Sequence, residues 1–338
     1  MRQKIELSNI FKANCPVLPE LDIMMKKLFN HCFSLPSLMI LLIMAGAVSC
    51  SCGGNSPGRK VGHVIVLGFD GLAGAALDSA DMPCLKGLME KGSWTTTKRS
   101  ILPTSSAANW ATMFMGAGPE VHGFIEWDSR EPAFTPAELA PNGHVPTVFT
   151  LMRKTNPDAE TACTYQWDGI AYVVDTMSIS KVRQFPSEEK GIDEELSFVK
   201  RYIVSNKPEL SAFVWDYPDH TGHSVGWYTP EYYSMLSKLD KVIRGVVEAV
   251  SEAGILDDTV IIVTSDHGGH NTWHGNPVDK DLFSPLVFYG KGVVQGRKLS
   301  SPVYQYDIAA TIAYLLGLET PSSWRGVPTL EAFEFKGR

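Results

Sequence analysis

The run Thr259-Val260-Ile261-Ile262-Val263 is apolar and β-branched, and after Thr264 and Ser265 it gives way to Asp266-His267-Gly268-Gly269. A run this short and this apolar reads as a buried strand. His270 follows, then Asn271-Thr272-Trp273 and His274-Gly275. Carboxylate oxygens and imidazole nitrogens are ligands for zinc-like divalent ions. Glycines let the main chain fold closely around an ion. Open α/β sheets place their sites at the carboxyl ends of strands. A single histidine in such a loop is most simply explained as a hydrogen-bonded structural group. Four Asp and His side chains after one buried strand point to metal instead.

The same device recurs. His63-Val64-Ile65-Val66-Leu67-Gly68-Phe69 is an apolar strand that delivers Asp70-Gly71. A carboxylate there is costly to bury unless it meets a cation or donors, although Asp before Gly is also an ordinary turn. Leu210–Tyr217 is another strand and runs into Pro218-Asp219-His220-Thr221-Gly222-His223. Asp219 and His223 are four residues apart, so one short turn can present both to a single ion. Asp216 and His220 share that spacing and compete for the role. Asp219 and His223 are preferred because they bracket the glycine.

Helical patterns separate these strands. Pro83–Gly92, Pro146–Arg153, Glu194–Val204, Pro230–Glu252 and Tyr306–Leu316 read as helices, and Glu160–Tyr165 and Pro285–Gly290 as further strands. Leu236, Leu239, Val242, Ile243, Val246, Val247 and Val250 form an apolar stripe facing a core. Strand and helix in alternation predict an α/β fold, with a mostly parallel central sheet sandwiched between helices. The stretch 126–190 is the least regular, and is expected to act as a small cap or substrate region. Trp127, Tyr165, Trp167 and Asp168 lie at or beyond element ends within it and are candidate substrate contacts.

The segment Thr104-Ser105-Ser106-Ala107-Ala108-Asn109-Trp110 opens an apolar helix. Serine is a good N-cap. The same position suits a nucleophile, because the helix N-terminus favours an anion such as phosphate. A serine hydroxyl needs a base or metal to activate it. No Gly-x-Ser-x-Gly surrounds it, which excludes the α/β-hydrolase elbow. His122, in the turn that follows, reads as structural.

The start of the chain has a different character. Met25-Lys26-Lys27 is basic, and Leu38–Val48 is an apolar run too short to span a bilayer comfortably. Ala47-Val48-Ser49-Cys50 completes a segment that resembles a bacterial lipoprotein signal, cleaved before a lipidated Cys50. Residues 1–49 are therefore expected to be leader, with translation starting at Met24 or Met25. Residues 50–60 would be a flexible tether and 61–338 the catalytic domain. The protein would be exported and lipid-anchored to a membrane. Losing residues 1–49 removes five Lys or Arg and three Asp or Glu, taking the net charge from −7 to −9. An acidic chain without a basic run offers no nucleic-acid-binding face. Cys84 and Cys163 lack CxxC spacing, which argues against a thiolate metal site and leaves a disulfide between them open.

Seven groups thus gather at strand ends and on the nucleophile turn: Asp70, Ser106, Asp219, His223, Asp266, His267 and His274. One ion rarely takes so many ligands, whereas two about 4 Å apart can share them. The order Phe-Asp-Gly, Pro-Thr-x-Ser-x-x-Asn, Pro-Asp-x-x-Gly-His, Ser-Asp-His-Gly and a late His-Gly resembles the alkaline phosphatase superfamily. Its closest branch is the type I phosphodiesterase/nucleotide pyrophosphatase family. The resemblance implies that Asp70, Ser106, Asp266 and His267 hold one zinc, and Asp219, His223 and His274 the other. It implies that Ser106 forms a phospho-enzyme intermediate on a small-molecule phosphate ester; manganese could replace zinc.

Two departures qualify it. The branch usually has threonine at Ser106, and Trp127 stands where phosphodiesterases place an asparagine that holds a phosphoryl oxygen. Asn109 is a candidate substitute. A phosphomonoesterase, a phospho-alcohol transferase and a non-catalytic ligand-binding lipoprotein are the alternatives. No Cys-x-Pro-x-Arg motif is present, which argues against a sulfatase.

Overall fold

The computed structural model describes residues 58–335. The leader at 1–49, Cys50 and the tether up to residue 57 lie outside the described residues. The strands are β1 (His63–Phe69), β2 (Ser93–Arg99), β3 (Thr161–Tyr165), β4 (Lys181–Gln184), β5 (Leu210–Trp215), β6 (Thr259–Thr264), β7 (Phe283–Gly290) and β8 (Arg297–Lys298). They form one sheet in the order β4-β3-β5-β1-β6-β7-β2-β8. All pairings are parallel except β6–β7 and β2–β7, so the sheet is the mostly parallel α/β type expected.

The helices of seven residues or more are α1 (Pro83–Glu90), α2 (Ser106–Met115), α3 (Val148–Thr155), α4 (Lys190–Asn206), α5 (Asp219–Val225), α6 (Pro230–Glu252) and α7 (Asp307–Leu316). Strand side chains alternate between two cores. Val64 and Val66 pack with α2, α3 and α7 on one face. Ile65, Leu67 and Phe69 pack with α1, α4 and α6 on the other. Pro at the first position of α6 and the Thr229 side chain accepting from the Tyr232 amide fix its start where the sequence placed it.

Three features go beyond the sequence reading. The polar strands β2, β4 and β8 carry no apolar run, and pattern reading passed over them. Within 126–190 the longest stretch without a helix or strand is 126–147; the expected helix and strand are α3 and β3, and β4 is added on the far side of β3. Cys84 and Cys163 are free, not bridged. Cys163 is in the core that α2, α3 and α7 cover, whereas Cys84 packs on the opposite face of the sheet.

Candidate active site

Strands β5, β1 and β6 are neighbours and run parallel, with Phe69 opposite Trp215 and Gly68 opposite Thr264. Their carboxyl ends therefore open on one edge of the sheet, and Asp70, Asp219, Asp266 and His267 converge there. Two candidate ligand groups result: Asp70, Asp266 and His267, and Asp219, His223 and His274. The groups abut, since the His267 and His274 rings stack with centroids 3.8 Å apart. Asp219 and His223 lie one turn apart on α5, so both face His274, with Asp219 Oδ2 3.4 Å from His223 Nε2. Of the competing pair, Asp216 lines the cavity mouth, and His220 is exposed and stacks on Tyr217.

Three histidines share one hydrogen-bonding pattern. His267 Nδ1 donates to the Gly268 carbonyl (2.7 Å), His274 Nδ1 to Thr104 (2.7 Å) and His223 Nδ1 to Thr272 (3.0 Å). A carbonyl accepts only, so the proton sits on Nδ1 and Nε2 is left as a bare lone pair. Main-chain orientation of the distal nitrogen is how metal-ligating histidines are held. Burial lowers the proton affinity of all three, that of His267 and His274 to about 3.

The carboxylates show the complementary pattern. Asp70 Oδ1, Asp219 Oδ1 and Asp266 Oδ2 are buried without a hydrogen-bond partner. Burial first, then mutual repulsion, raises the pKa of Asp70 and Asp219 well above the carboxylate range. Burial raises Asp266 to about 6. Buried anions crowded together with orphaned oxygens are unfavourable unless cations sit between them. The oxygen and imidazole set fits divalent ions of the zinc type.

The remaining contacts hold these groups in place. Trp110 Nε1 donates to Asp70 Oδ2 (2.9 Å), and the Gly71 amide donates to Asp266 Oδ1 (3.1 Å). Gly71 has φ +69°, and a Cβ there would lie 2.7 Å from Asp219, so only glycine lets the two loops approach. His270, which belongs to neither ligand group, pairs through Nδ1 with buried Asp281 at 2.6 Å.

Ser106 begins α2, and its Oγ is 3.3 Å from His267 Nε2. The neighbouring hydroxyls have other surroundings. Thr104 Oγ1 accepts from the Gly275 amide (2.9 Å), and Ser105 Oγ is buried without a partner. Asn109 needs correction as a phosphoryl contact: Oδ1 accepts from the Ile101 amide, and Nδ2 donates to the carbonyls of Ile101, Pro103 and Ser105. It is fully buried and shapes the turn that carries Ser106. His122 is structural, bonded to Thr112 and to the Phe124 amide.

A cavity of about 590 Å³ opens over Ser106, Asp219, His223 and His274. Trp127, Trp167 and Trp273 line it, together with Glu126 and Asp216 and no lysine or arginine. Trp127 and Trp273 are 60% and 63% exposed, so the apolar rim faces solvent. Sequence reasoning missed Trp273 and Glu126; the place of Trp273 between two ligand histidines was the available signal. Tyr165 is instead buried in the core, and Asp168 pairs with Arg130 at the surface.

The family model of the type I phosphodiesterases and nucleotide pyrophosphatases matches residues 64–282. This chain belongs to that family. The mouse bis(5'-adenosyl)-triphosphatase enpp4 is 24% identical over 232 residues, covering 64% of this chain and 49% of that protein. The catalytic subunit of human GPI ethanolamine phosphate transferase 3 is 30% identical over 158 residues, covering 45% of this chain and 14% of that protein. The chain thus spans about half the length, or less, of these two relatives. In fold it is similar to murine ectonucleotide pyrophosphatase/phosphodiesterase 5, solved as an inactive form with AMP. The TM-score is 0.65 at 14% identity, over 82% of this chain and 100% of that one. A 2-O GAG sulfatase shares the fold at TM-score 0.63 and 13% identity, over 80% and 73%. The α/β architecture is therefore that of alkaline phosphatase-like proteins.

Proposed function

We propose that this family member hydrolyses phosphodiesters through a Ser106 phospho-enzyme, with one divalent ion held by Asp70, Ser106, Asp266 and His267 and another by Asp219, His223 and His274. The observation that carries the reading is Ser106 Oγ beside His267 Nε2, at the mouth of a cavity where three bare imidazole nitrogens meet three orphaned carboxylate oxygens. Zinc or manganese so placed would supply Lewis-acid activation and offset charge on the phosphoryl oxygens. The chain does the rest. Asn109 and Thr104 shape the turn that presents Ser106 and His274. The positive end of α2 favours the phosphoryl anion. Ser106 Oγ bonds to phosphorus as the bond to the leaving alcohol breaks. Water then cleaves the Oγ–P bond, releasing a phosphomonoester and restoring the hydroxyl.

The test is zinc-loaded protein from Gly53 onward, assayed on bis-p-nitrophenyl phosphate and p-nitrophenyl phosphate, with Ser106→Ala as control. A diester preference abolished by the substitution supports the reading. Activity unchanged in Ser106→Ala sinks it.

A second reading is a phospho-alcohol transferase or phosphomonoesterase. Glu126 and Asp216 in a tryptophan-lined cavity without lysine or arginine favour it, because that lining suits an alcohol bearing an ammonium group. Relative rates on matched mono- and diesters, with ethanolamine as acceptor, separate the two. The exported, Cys50-lipidated form belongs to the same proposal. It rests on the apolar run before Cys50, and Cys50→Ser would move the protein out of the membrane fraction.

A further inference from the structure

Lys98 is the one buried lysine or arginine among the described residues, with no measurable exposure. A β-bulge puts it there. Along β2, Ser93 and Thr95 face inward, and strict alternation would turn Thr97 inward and Lys98 to solvent. The register with β7 shifts between Thr95 and Lys98, so Thr97 is exposed and Lys98 is buried. Burying an ammonium group is expensive, and nothing in the strand requires it.

The ammonium bridges two parts of the candidate site. It donates to the main-chain carbonyl of Ser265, next to Asp266, and to Gln305 Oε1. Gln305 Nε2 in turn donates to the Asn109 carbonyl on α2 at 3.2 Å. Both acceptors of Lys98 are neutral oxygens. The nearby charges are those of the carboxylate cluster. Burial draws the ammonium down to about 7 while Asp266 pulls it up, and Lys98 in turn favours ionised Asp266.

We propose that Lys98 is a positioning residue: a buried cation that ties the Ser106 helix to the Asp266–His267 loop and offsets the Asp266 carboxylate before metal binds. The proposal rests on the metal-site reading above. If it holds, removing the charge harms the metal-free protein most, because bound ions supply the missing positive charge. A side chain that merely fills space would matter equally in both forms.

The test is thermal unfolding of wild type and Lys98→Met, each zinc-loaded and then chelated. If zinc does not raise the wild-type midpoint, the metal-site reading itself fails. If it does, the rise in Lys98→Met is expected to exceed that of wild type by about 4 °C or more. Equal losses in both forms would reduce Lys98 to packing and overturn the proposal. Should Lys98→Met not fold at all, Gln305→Glu decides. It keeps the lysine, neutralises it with a new carboxylate, and is expected to enlarge the zinc-induced rise in the same direction. An unchanged rise would overturn the proposal.

Discussion

His223 and His274 point their Nε2 atoms at each other across 3.1 Å, while each gives its Nδ1 proton to a main-chain carbonyl. Two imidazole lone pairs that close repel. The contact is favourable only when an electrophile is shared between them, and Asp219 is placed to share it too. His223→Ala and His274→Ala are each expected to lower tightly bound zinc from two equivalents to one, and the double variant no further. Elemental analysis after dialysis checks this. Two equivalents retained in either variant would place the ion elsewhere.

Stability of the metal-free protein should fall as pH rises from 6.5 to 8. Asp70 and Asp219 are raised well above the ordinary value, and Asp216 to about 7. The folded state thus holds protons that the unfolded chain has released by about pH 5. His267 and His274, lowered to about 3, act oppositely, but only below the unfolded value near 6.5. Above 6.5 each carboxylate that stays protonated contributes a fall of about 1.4 kcal/mol per pH unit, which Lys98, lowered to about 7, opposes above pH 7 because the unfolded lysine keeps its proton, and the two strongly raised carboxylates outnumber it. Zinc at a hundred times its dissociation constant adds about 2.7 kcal/mol. Urea unfolding with and without chelator over that range tests both signs.

Trp110→Phe keeps a ring packed against Phe114 but removes the donor to Asp70 Oδ2. Partners of metal ligands are typically worth 10- to 100-fold in affinity or activity. Zinc competition against a chromophoric chelator should show a loss of about that size. Unchanged affinity would make this hydrogen bond incidental.

Glu195 lies in α4 and belongs to neither ligand group; it is fully buried, with one oxygen unpartnered and the other accepting from Thr164 Oγ1 at 2.5 Å. Burial raises its pKa well above 4.5. Folding therefore keeps a proton that the unfolded chain has lost at neutral pH, and the cost grows with pH until the folded group ionises. Glu195→Gln removes that slope. The variant should gain on wild type by about 1 kcal/mol or more between pH 5 and pH 8, read from urea midpoints. A gap independent of pH would contradict the assignment.

Much of the site was legible locally. Strands β1, β5 and β6 declare themselves as apolar runs, and each is followed within two residues by an aspartate. Helix α6 is fixed by its stripe, its proline and its threonine cap. Polar β2 was not legible. Ser93, Thr95 and Lys98 are polar residues buried by tertiary partners and the alternation is broken by a bulge, so neither period shows in the sequence. Asn109 shows the converse error. Its side chain is consumed by carbonyls and an amide up to eight residues away, which a motif alignment cannot reveal.

By itself the sequence determined the alternation of strands and helices, the residue types that cap the strands, and the family they belong to. Periodicity and turn chemistry act over a few residues, so those features are written locally. Only the tertiary structure decided that Asp219 and His223 rather than Asp216 and His220 meet His274. It also decided which histidine nitrogens are bare, and that Lys98 turns inward beneath Asp266. Apart from the local His267–Gly268 contact, those outcomes depend on groups about 50 to 170 residues apart in the chain. They are fixed by strand order and helix docking, and local pattern carries no information about either.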